Sequence, residues 1–238
     1  MQYWLKHLQE IFNCRKIDFA QFFIGSSQFD IDDIKKVFGN TNEVKIGNTG
    51  CYVFNQMIFE KFFPIEKLQI HTSDFPDSRI PKKILMQNFA DLHIGEGLEA
   101  TSMTLDELLI INSKVIQIKD LQMPAKQFNK FIKLWQNGSN PHLEYLTITY
   151  PYLNHWQIRR AAVEEDDFKA ITKGIEHCVI SRDTYRNFKV AGLSHLDRMN
   201  GGIDIFRKDG VKATIELNYY HFPVWKMLVW FDHCVVET

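Results

Sequence analysis

The stretch Leu143-Glu-Tyr-Leu-Thr-Ile148 (LEYLTI) alternates apolar and polar side chains, as a half-buried β-strand does. It ends in an apolar-x-Ile triplet, and similar triplets occur earlier in the chain. The five triplets are Val44–Ile46, Leu68–Ile70, Leu92–Ile94, Ile116–Ile118 and Leu146–Ile148. The first four begin 24 residues apart, and the fifth follows after 30. A constant step of this size indicates a repeat, in which each strand takes an equivalent place.

An apolar residue also lies three positions before three of the triplets, at Ile65, Phe89 and Leu143. These units read L-x-x-L-x-L, which is the strand signature of a leucine-rich repeat. The usual Asn after the triplet is missing throughout, so the repeat is degenerate. A doubly wound α/β domain is the alternative, since its strands also alternate with helices. We favour an α/β, leucine-rich-repeat-like solenoid with parallel strands, because the steps are equal and no Gly-rich phosphate turn is found.

The spacers between the triplets carry helix signals. Thr104 and Glu107 fit a capping box, and Asp30 or Ser27 can cap a helix that precedes the first triplet. Pro81 can start a short helix, and Pro124 can start a longer one. We therefore expect strand and helix to alternate along the repeats.

Three segments follow from these patterns. Residues 1–15 are predicted to form an N-terminal capping helix, 16–174 the repeats, and 175–238 an antiparallel β cap on the end of the solenoid. Asp209-Gly210 is a strong hairpin signal and predicts a two-residue type I′ turn. Gly201-Gly202 is also interpreted as a turn.

Composition excludes several classes of protein. The formal net charge of −1 gives no field that would attract nucleic acid or an anionic membrane. The four cysteines are far apart, which favours free thiols in a reducing compartment. The first residues are too polar for a signal peptide, and the apolar runs are too short to span a bilayer. A cytoplasmic or nuclear protein is therefore expected.

The sequence offers no recognisable active site. We find no GxSxG, P-loop, HExxH or CxxC motif, so an enzyme is not expected. His177-Cys178 and His233-Cys234 could suggest zinc. Adjacent side chains in a strand point to opposite faces, however, so one pair cannot easily supply two ligands to one ion. We accordingly predict no metal and no cofactor.

A binding surface can be derived from the same strands. The apolar residues of each triplet should point into the core, and the residues between and just after them towards the opposite, concave face. The predicted protein-binding set is Lys45, Gln69, His71, His93, Gln117, Lys119, Thr147 and Thr149. Because this set is polar and mixed in charge, it suits a protein or peptide better than a long polyanion. A solvated sheet face without a partner is the alternative.

Four stretches resemble a known family, the nematode F-box-associated domain, type 2. They are the segment around Trp4–Leu8, MTLDELLIINSK (103–114), QFNKFIKLWQNGSNPHLEYLTI (127–148) and GGIDIFRKDGVKATI (201–215). In that family the domain follows an F-box, which docks on a cullin-type ubiquitin ligase, and presents substrates. Because the resemblance begins at the first residues, we expect this chain to lack an F-box.

Two functions are therefore expected from the resemblance. The first is a non-enzymatic module that recognises a protein substrate for a cullin-type ubiquitin ligase, with the link to the ligase supplied indirectly. The second is a truncated or regulatory relative that binds protein without recruiting a ligase.

Overall fold

The fold is described by a computed structural model for residues 17–39, 41–95, 100–121, 123–150, 160–190, 196–218 and 224–235, with His7 and Ile11. The chain forms two compact units, Met1–Ile80 and Pro81–Thr238. The predicted capping helix, residues 1–15, lies outside the described residues apart from His7 and Ile11. The segment boundaries predicted from the sequence remain a prediction.

Within residues 17–39 and 41–80, the first unit contains three parallel strands and two α-helices. The strands are β1 (Phe19–Phe22), β2 (Glu43–Ile46) and β3 (Lys67–Ile70), and they lie in that order. Helix α1 (Ile31–Phe38) connects β1 to β2, and α2 (Tyr52–Phe62) connects β2 to β3. β1 is a strand that the Ile triplets did not mark.

Local signals explain where these helices begin and how they pack. The Asp30 carboxylate accepts hydrogen bonds from the backbone N–H groups of Asp32 and Asp33, which caps α1 as predicted. Phe22 of β1 packs edge-on against Phe54 and Phe62 of α2. The aromatic face of α2 therefore buries the strand residues that point towards it.

The described part of the second unit contains seven strands in the order β4-β5-β6-β10-β9-β8-β7. The strands are β4 (Asp91–Ile94), β5 (Val115–Ile118), β6 (Tyr145–Thr149), β7 (Cys178–Lys189), β8 (Leu196–Phe206), β9 (Lys212–Asn218) and β10 (Val224–Val229). Its helices are α3 (Lys82–Leu85), α4 (Leu105–Ile110), α5 (Ala125–Gln136) and α6 (Arg160–Thr172). The predicted capping box of α4 is present, because Thr104 and Glu107 exchange side-chain and backbone hydrogen bonds.

The spacing of the triplets in the sequence matches the pairing of the parallel strands. In the first unit Val44 pairs with Leu68, and in the second Leu92 pairs with Ile116 and Ile116 with Leu146, all in parallel. Each 24- or 30-residue step therefore places the next triplet directly beside the last one. The predicted alternation of parallel strands and helices is confirmed within each unit, while the solenoid itself stays a prediction.

The last four strands are antiparallel, as the sequence predicted, but they join the repeat strands edge to edge. β10 pairs with β6 and β9, and β8 pairs with β9 and β7. The hairpin at Asp209-Gly210 exists, yet it is longer than predicted: Phe206 pairs with Lys212 and only Gly210 has a positive φ. A two-residue type I′ turn is therefore wrong, since it needs positive φ at both central residues.

Gly201 and Gly202 lie within β8 and not in a turn. Opposite them, the register with β7 shifts between Ile180 and Tyr185. A Cβ at Gly202 would lie 2.6 Å from the backbone oxygen of Ile215. Glycine is therefore required here by a β-bulge and by the close approach of β9.

The sheet of the second unit has one apolar and one mixed face. Ile94, Ile116 and Ile148 are fully buried on the apolar face, to which Trp225 of β10 also belongs. Phe128 of α5 packs on Trp225 with ring centroids 4.4 Å apart, so this face lies beneath the helix. The other face carries the alternate residues of the same strands.

The β7–β8 ribbon packs on part of that mixed face. Phe188 of β7 and Met199 of β8 share a buried cluster with Val115, Tyr145 and Leu228. The cap predicted from the sequence therefore covers a face of the sheet as well as extending its edge. Among the described helices, none has the length and apolar character needed to cross a bilayer.

Candidate functional site: a polar row across the sheet

Five polar side chains form one line across the mixed face of the second unit. The register pairs His93 with Gln117, Gln117 with Thr147, Thr147 with Lys226, and Lys226 with Glu216. We call these five residues the polar row. Neighbouring strands are about 4.8 Å apart, so the row spans about 19 Å. It consists of aligned hydrogen-bonding groups, with the ammonium group of Lys226 and the carboxyl group of Glu216 at one end.

His93 is held in place by two neighbours. Its Nε2 lies 3.3 Å from Oδ1 of Asp91, two residues earlier on the same strand, and it also contacts Nε2 of Gln117. The His93 side chain keeps 29% of its surface exposed, whereas Ile94 is fully buried. The predicted orientation, with Ile94 inside and His93 partly outside, is confirmed.

The charge of Lys226 is balanced by a carboxylate of the β7–β8 ribbon. Its Nζ lies 3.1 Å from both carboxylate oxygens of Asp197 on β8, and the Tyr145 hydroxyl donates to Asp197 Oδ2 at 2.9 Å. Burial, with the Asp197 charge nearby, raises the pKa of Tyr145, so the phenol stays protonated and donates. These contacts tie the β7–β8 ribbon to the face and bury most of the Lys226 side chain.

Glu216 is the acid of the polar row and is almost fully buried. Burial raises the pKa of its carboxyl group, and the neighbouring Lys226 ammonium opposes this effect. Its Oε2 is buried and has no hydrogen-bond partner among the described residues. This end of the row is therefore closed, and His93, Gln117 and Thr147 form the more accessible part.

The other predicted residues lie apart from the row. Lys45 and Gln69 are direct neighbours across β2 and β3 of the first unit, and both are half-buried. His71 lies at the end of β3, where its backbone N–H donates to Asp74. Whether these residues share a surface with the row is left as a prediction.

Lys119 and Thr149 lie at the ends of their strands. Lys119 is exposed just after β5, and the Thr149 hydroxyl accepts a hydrogen bond from the backbone N–H of Asp120. Thr149 therefore supports the loop that carries Lys119. Its role in contacting a partner stays a prediction.

Sequence reasoning missed Tyr145, Asp197, Lys226 and Glu216. Tyr145 could have been found, because it lies two residues before Thr147 and so shares its face. The other three could not, since their places depend on the pairing of β10 with β6 and on the folding of the ribbon. Neither event has a signal in the local sequence.

The accessible part of the row provides hydrogen-bond donors and acceptors. The imidazole of His93 and the Gln117 amide can each exchange hydrogen bonds with a backbone or side chain laid across the strands. The Thr147 hydroxyl oxygen is itself buried, so Thr147 offers the rest of its half-exposed side chain as contact surface. A shallow, half-exposed line of this kind is suited to a macromolecular surface.

Comparison with protein-family models identifies a family that this part of the chain resembles. Residues 80–148 match the family model described as F-box associated. The resemblance recognised in the sequence is thereby confirmed for 69 of the 238 residues. No curated protein and no solved structure was found to match the chain.

The F-box-associated match coincides with the accessible part of the polar row. It begins before α3 and ends in β6, so it includes β4, β5 and most of β6. His93, Gln117 and Thr147 all lie within it. The part of the chain with family support is therefore the part that carries the half-exposed polar residues.

Proposed function

We propose that this protein is a non-enzymatic module that binds another protein through the polar row, and that it presents this partner to a cullin-type ubiquitin ligase. The alignment of His93, Gln117 and Thr147 on one half-exposed face is the observation that supports the binding part. The F-box-associated match over residues 80–148 supports the ligase part.

The proposal extends to the predicted solenoid. In a leucine-rich-repeat-like arc, strands carry their binding residues on the face opposite the helices. The polar row lies on that face of the second unit, and Lys45 and Gln69 occupy equivalent positions of their triplets in the first. We include Lys45, Gln69, His71, Lys119 and Thr149 in the proposed surface on this ground.

The experiment begins with proximity labelling in cells that express the full chain, followed by binding measurements with the purified partner. The double variant His93→Ala/Gln117→Ala removes two groups of the row and should weaken binding at least about tenfold, as loss of central contacts does. The matched control is Lys126→Ala/Lys130→Ala, which alters two exposed positions on α5. It should bind like the unchanged protein.

The two parts of the proposal fail in different ways. Equal binding by the row variant and the unchanged protein would reject the row as the docking surface. If a protein partner binds but no cullin-ligase adaptor is labelled or co-purified, the ligase assignment alone is rejected.

A further inference from the structure

A second group of side chains meets where β6 begins and β10 has just ended. Glu144 precedes β6, and its carboxylate is almost fully buried. His233 and Cys234 belong to the 3-10 turn Asp232–Cys234. In a 3-10 turn, unlike in a strand, adjacent side chains need not point to opposite faces. His233 and Cys234 both turn towards Glu144.

The distances within this group are close to those of a metal site. His233 Nε2 lies 3.2 Å from Glu144 Oε1, and Cys234 Sγ lies 3.9 Å from Glu144 Oε2. The three ligand atoms all lie within 4.8 Å of one another. Tetrahedral zinc with ordinary bond lengths separates such atoms by about 3.3–3.6 Å. The longest separation therefore has to shorten by about 1 Å.

The surrounding structure orients all three side chains. Backbone hydrogen bonds join Glu144 to Lys114 and to Val229, which fixes the Glu144 main chain between β5 and β10. The His233 ring stacks on Phe231 with an interplanar angle of 4°. Cys234 is fully buried, whereas the His233 side chain is 59% exposed. An ion can therefore enter from the His233 side and keep a water as its fourth ligand.

Lys114 is the competitor for this site. Its Nζ lies 3.2 Å from Glu144 Oε1, where it neutralises the buried carboxylate. Because the Lys114 side chain is 51% exposed, it can move into solvent when a cation replaces it. Coordination would also release the thiol proton of Cys234 to solvent, because the thiolate is the ligand form.

We propose that Glu144, His233 and Cys234 form a binding site for a zinc-type divalent cation, with a fourth position open to solvent. The donor set of one thiolate, one imidazole and one carboxylate is of the kind that zinc prefers. The bound ion would fasten the C-terminal turn to the start of β6, beside the bridge between Phe188 and Val235.

The test uses the full chain, freed of metal with a chelator and titrated with Co²⁺ and then Zn²⁺. One equivalent of Co²⁺ should bind with thiolate-to-cobalt charge-transfer absorption and tetrahedral visible bands, and Zn²⁺ should displace it. Cys234→Ser should lose the charge-transfer band. His233→Ala, which changes an exposed residue and so leaves folding intact, should weaken binding at least about tenfold.

The matched control is Cys178→Ser, which removes an exposed thiol on β7 and should leave the cobalt spectrum unchanged. Lys114→Met should bind Zn²⁺ at least as tightly as the unchanged protein, because the competing cation is gone. The proposal is overturned if Co²⁺ fails to bind at one equivalent. It is also overturned if His233→Ala and Cys234→Ser bind as the unchanged protein does, which would leave a Lys114–Glu144 ion pair with His233 beside it.

Discussion

Removal of the Asp197 carboxylate should destabilise the protein strongly, because two largely buried side chains depend on it. Asp197 holds Lys226 at 3.1 Å and accepts the Tyr145 hydroxyl at 2.9 Å, and the side chains of Lys226 and Asp197 are only 22% and 15% exposed. In Asp197→Ala, Lys226 remains largely buried without its counter-ion, and the Tyr145 hydroxyl loses its acceptor.

The magnitude follows from these two losses. Breaking a buried ion pair by removing one partner costs about 3–5 kcal/mol, and a buried polar group left unpaired costs about 1–3 kcal/mol. Water can still reach Lys226 in part, and the two losses are not additive. We therefore expect the free energy of unfolding to fall by about 2–4 kcal/mol.

The assay is urea denaturation at neutral pH, followed by circular dichroism. Asp183→Ala is the matched control, since Asp183 is exposed on β7, and it should change the free energy of unfolding by at most about 0.5 kcal/mol. Lys226→Met should lower the free energy of unfolding less in the Asp197→Ala variant than in the unchanged protein. In the Asp197→Ala variant the substitution removes a charge that no longer has a counter-ion. Equal stability of Asp197→Ala and Asp183→Ala would refute the reasoning.

Three further predictions concern packing, protonation and backbone. In thermal melts, Ile94→Ala should cost about 2–5 kcal/mol and His93→Ala about 1 kcal/mol or less, and the reverse order would invert the assignment of faces. Burial raises the pKa of Glu216 above its usual 4.5, so its contribution to stability is present below that pH and lost as the pH rises through the raised value. The free energy of unfolding of Glu216→Gln should therefore rise relative to that of the unchanged protein between roughly pH 4 and pH 7. A difference between the two proteins that stays constant with pH in denaturant titrations would contradict this. Gly202→Ala should cost about 2–5 kcal/mol because its Cβ would meet the backbone oxygen of Ile215, while Gly210→Ala, with open space around it, should cost about 1–2 kcal/mol in the same melts.

The parallel strands could be predicted because their signal is local and periodic. Every triplet puts two apolar residues on one face. In neighbouring strands, residues at equivalent positions of successive triplets pair with each other. The same rule would have found β1: Ala20-Gln-Phe22 lies 24 residues before Val44, with which Ala20 pairs. The apolar-x-Ile pattern does not mark this strand, because its triplet begins with Ala20 and ends with Phe22.

The remaining features depend on contacts between distant segments. The capping box of Thr104 and the cap of Asp30 involve neighbours in sequence and were recognised. The pairing of Lys226 with Thr147 joins residues far apart in the chain, and no spacing rule connects them. Likewise, the meeting of Glu144 with Cys234 needs both the β6–β10 pairing and a 3-10 turn, which a strand-based argument excluded.

The charges around the polar row affect how a partner would be selected. Lys226 is paired with Asp197, Asp91 lies beside His93, and the raised pKa of Glu216 reduces the cost of its burial by favouring the neutral form. The Lys226 and Asp197 charges cancel at short range, so this pair contributes little field in solvent beyond a Debye length. A partner on His93, Gln117 and Thr147 would accordingly be selected by the direction of hydrogen bonds and by shape, with association rates that depend weakly on salt. The β7–β8 ribbon strengthens this selection, because it buries most of Lys226, the one ammonium group of the row, and leaves the half-exposed side chains of His93 and Gln117 at the accessible end.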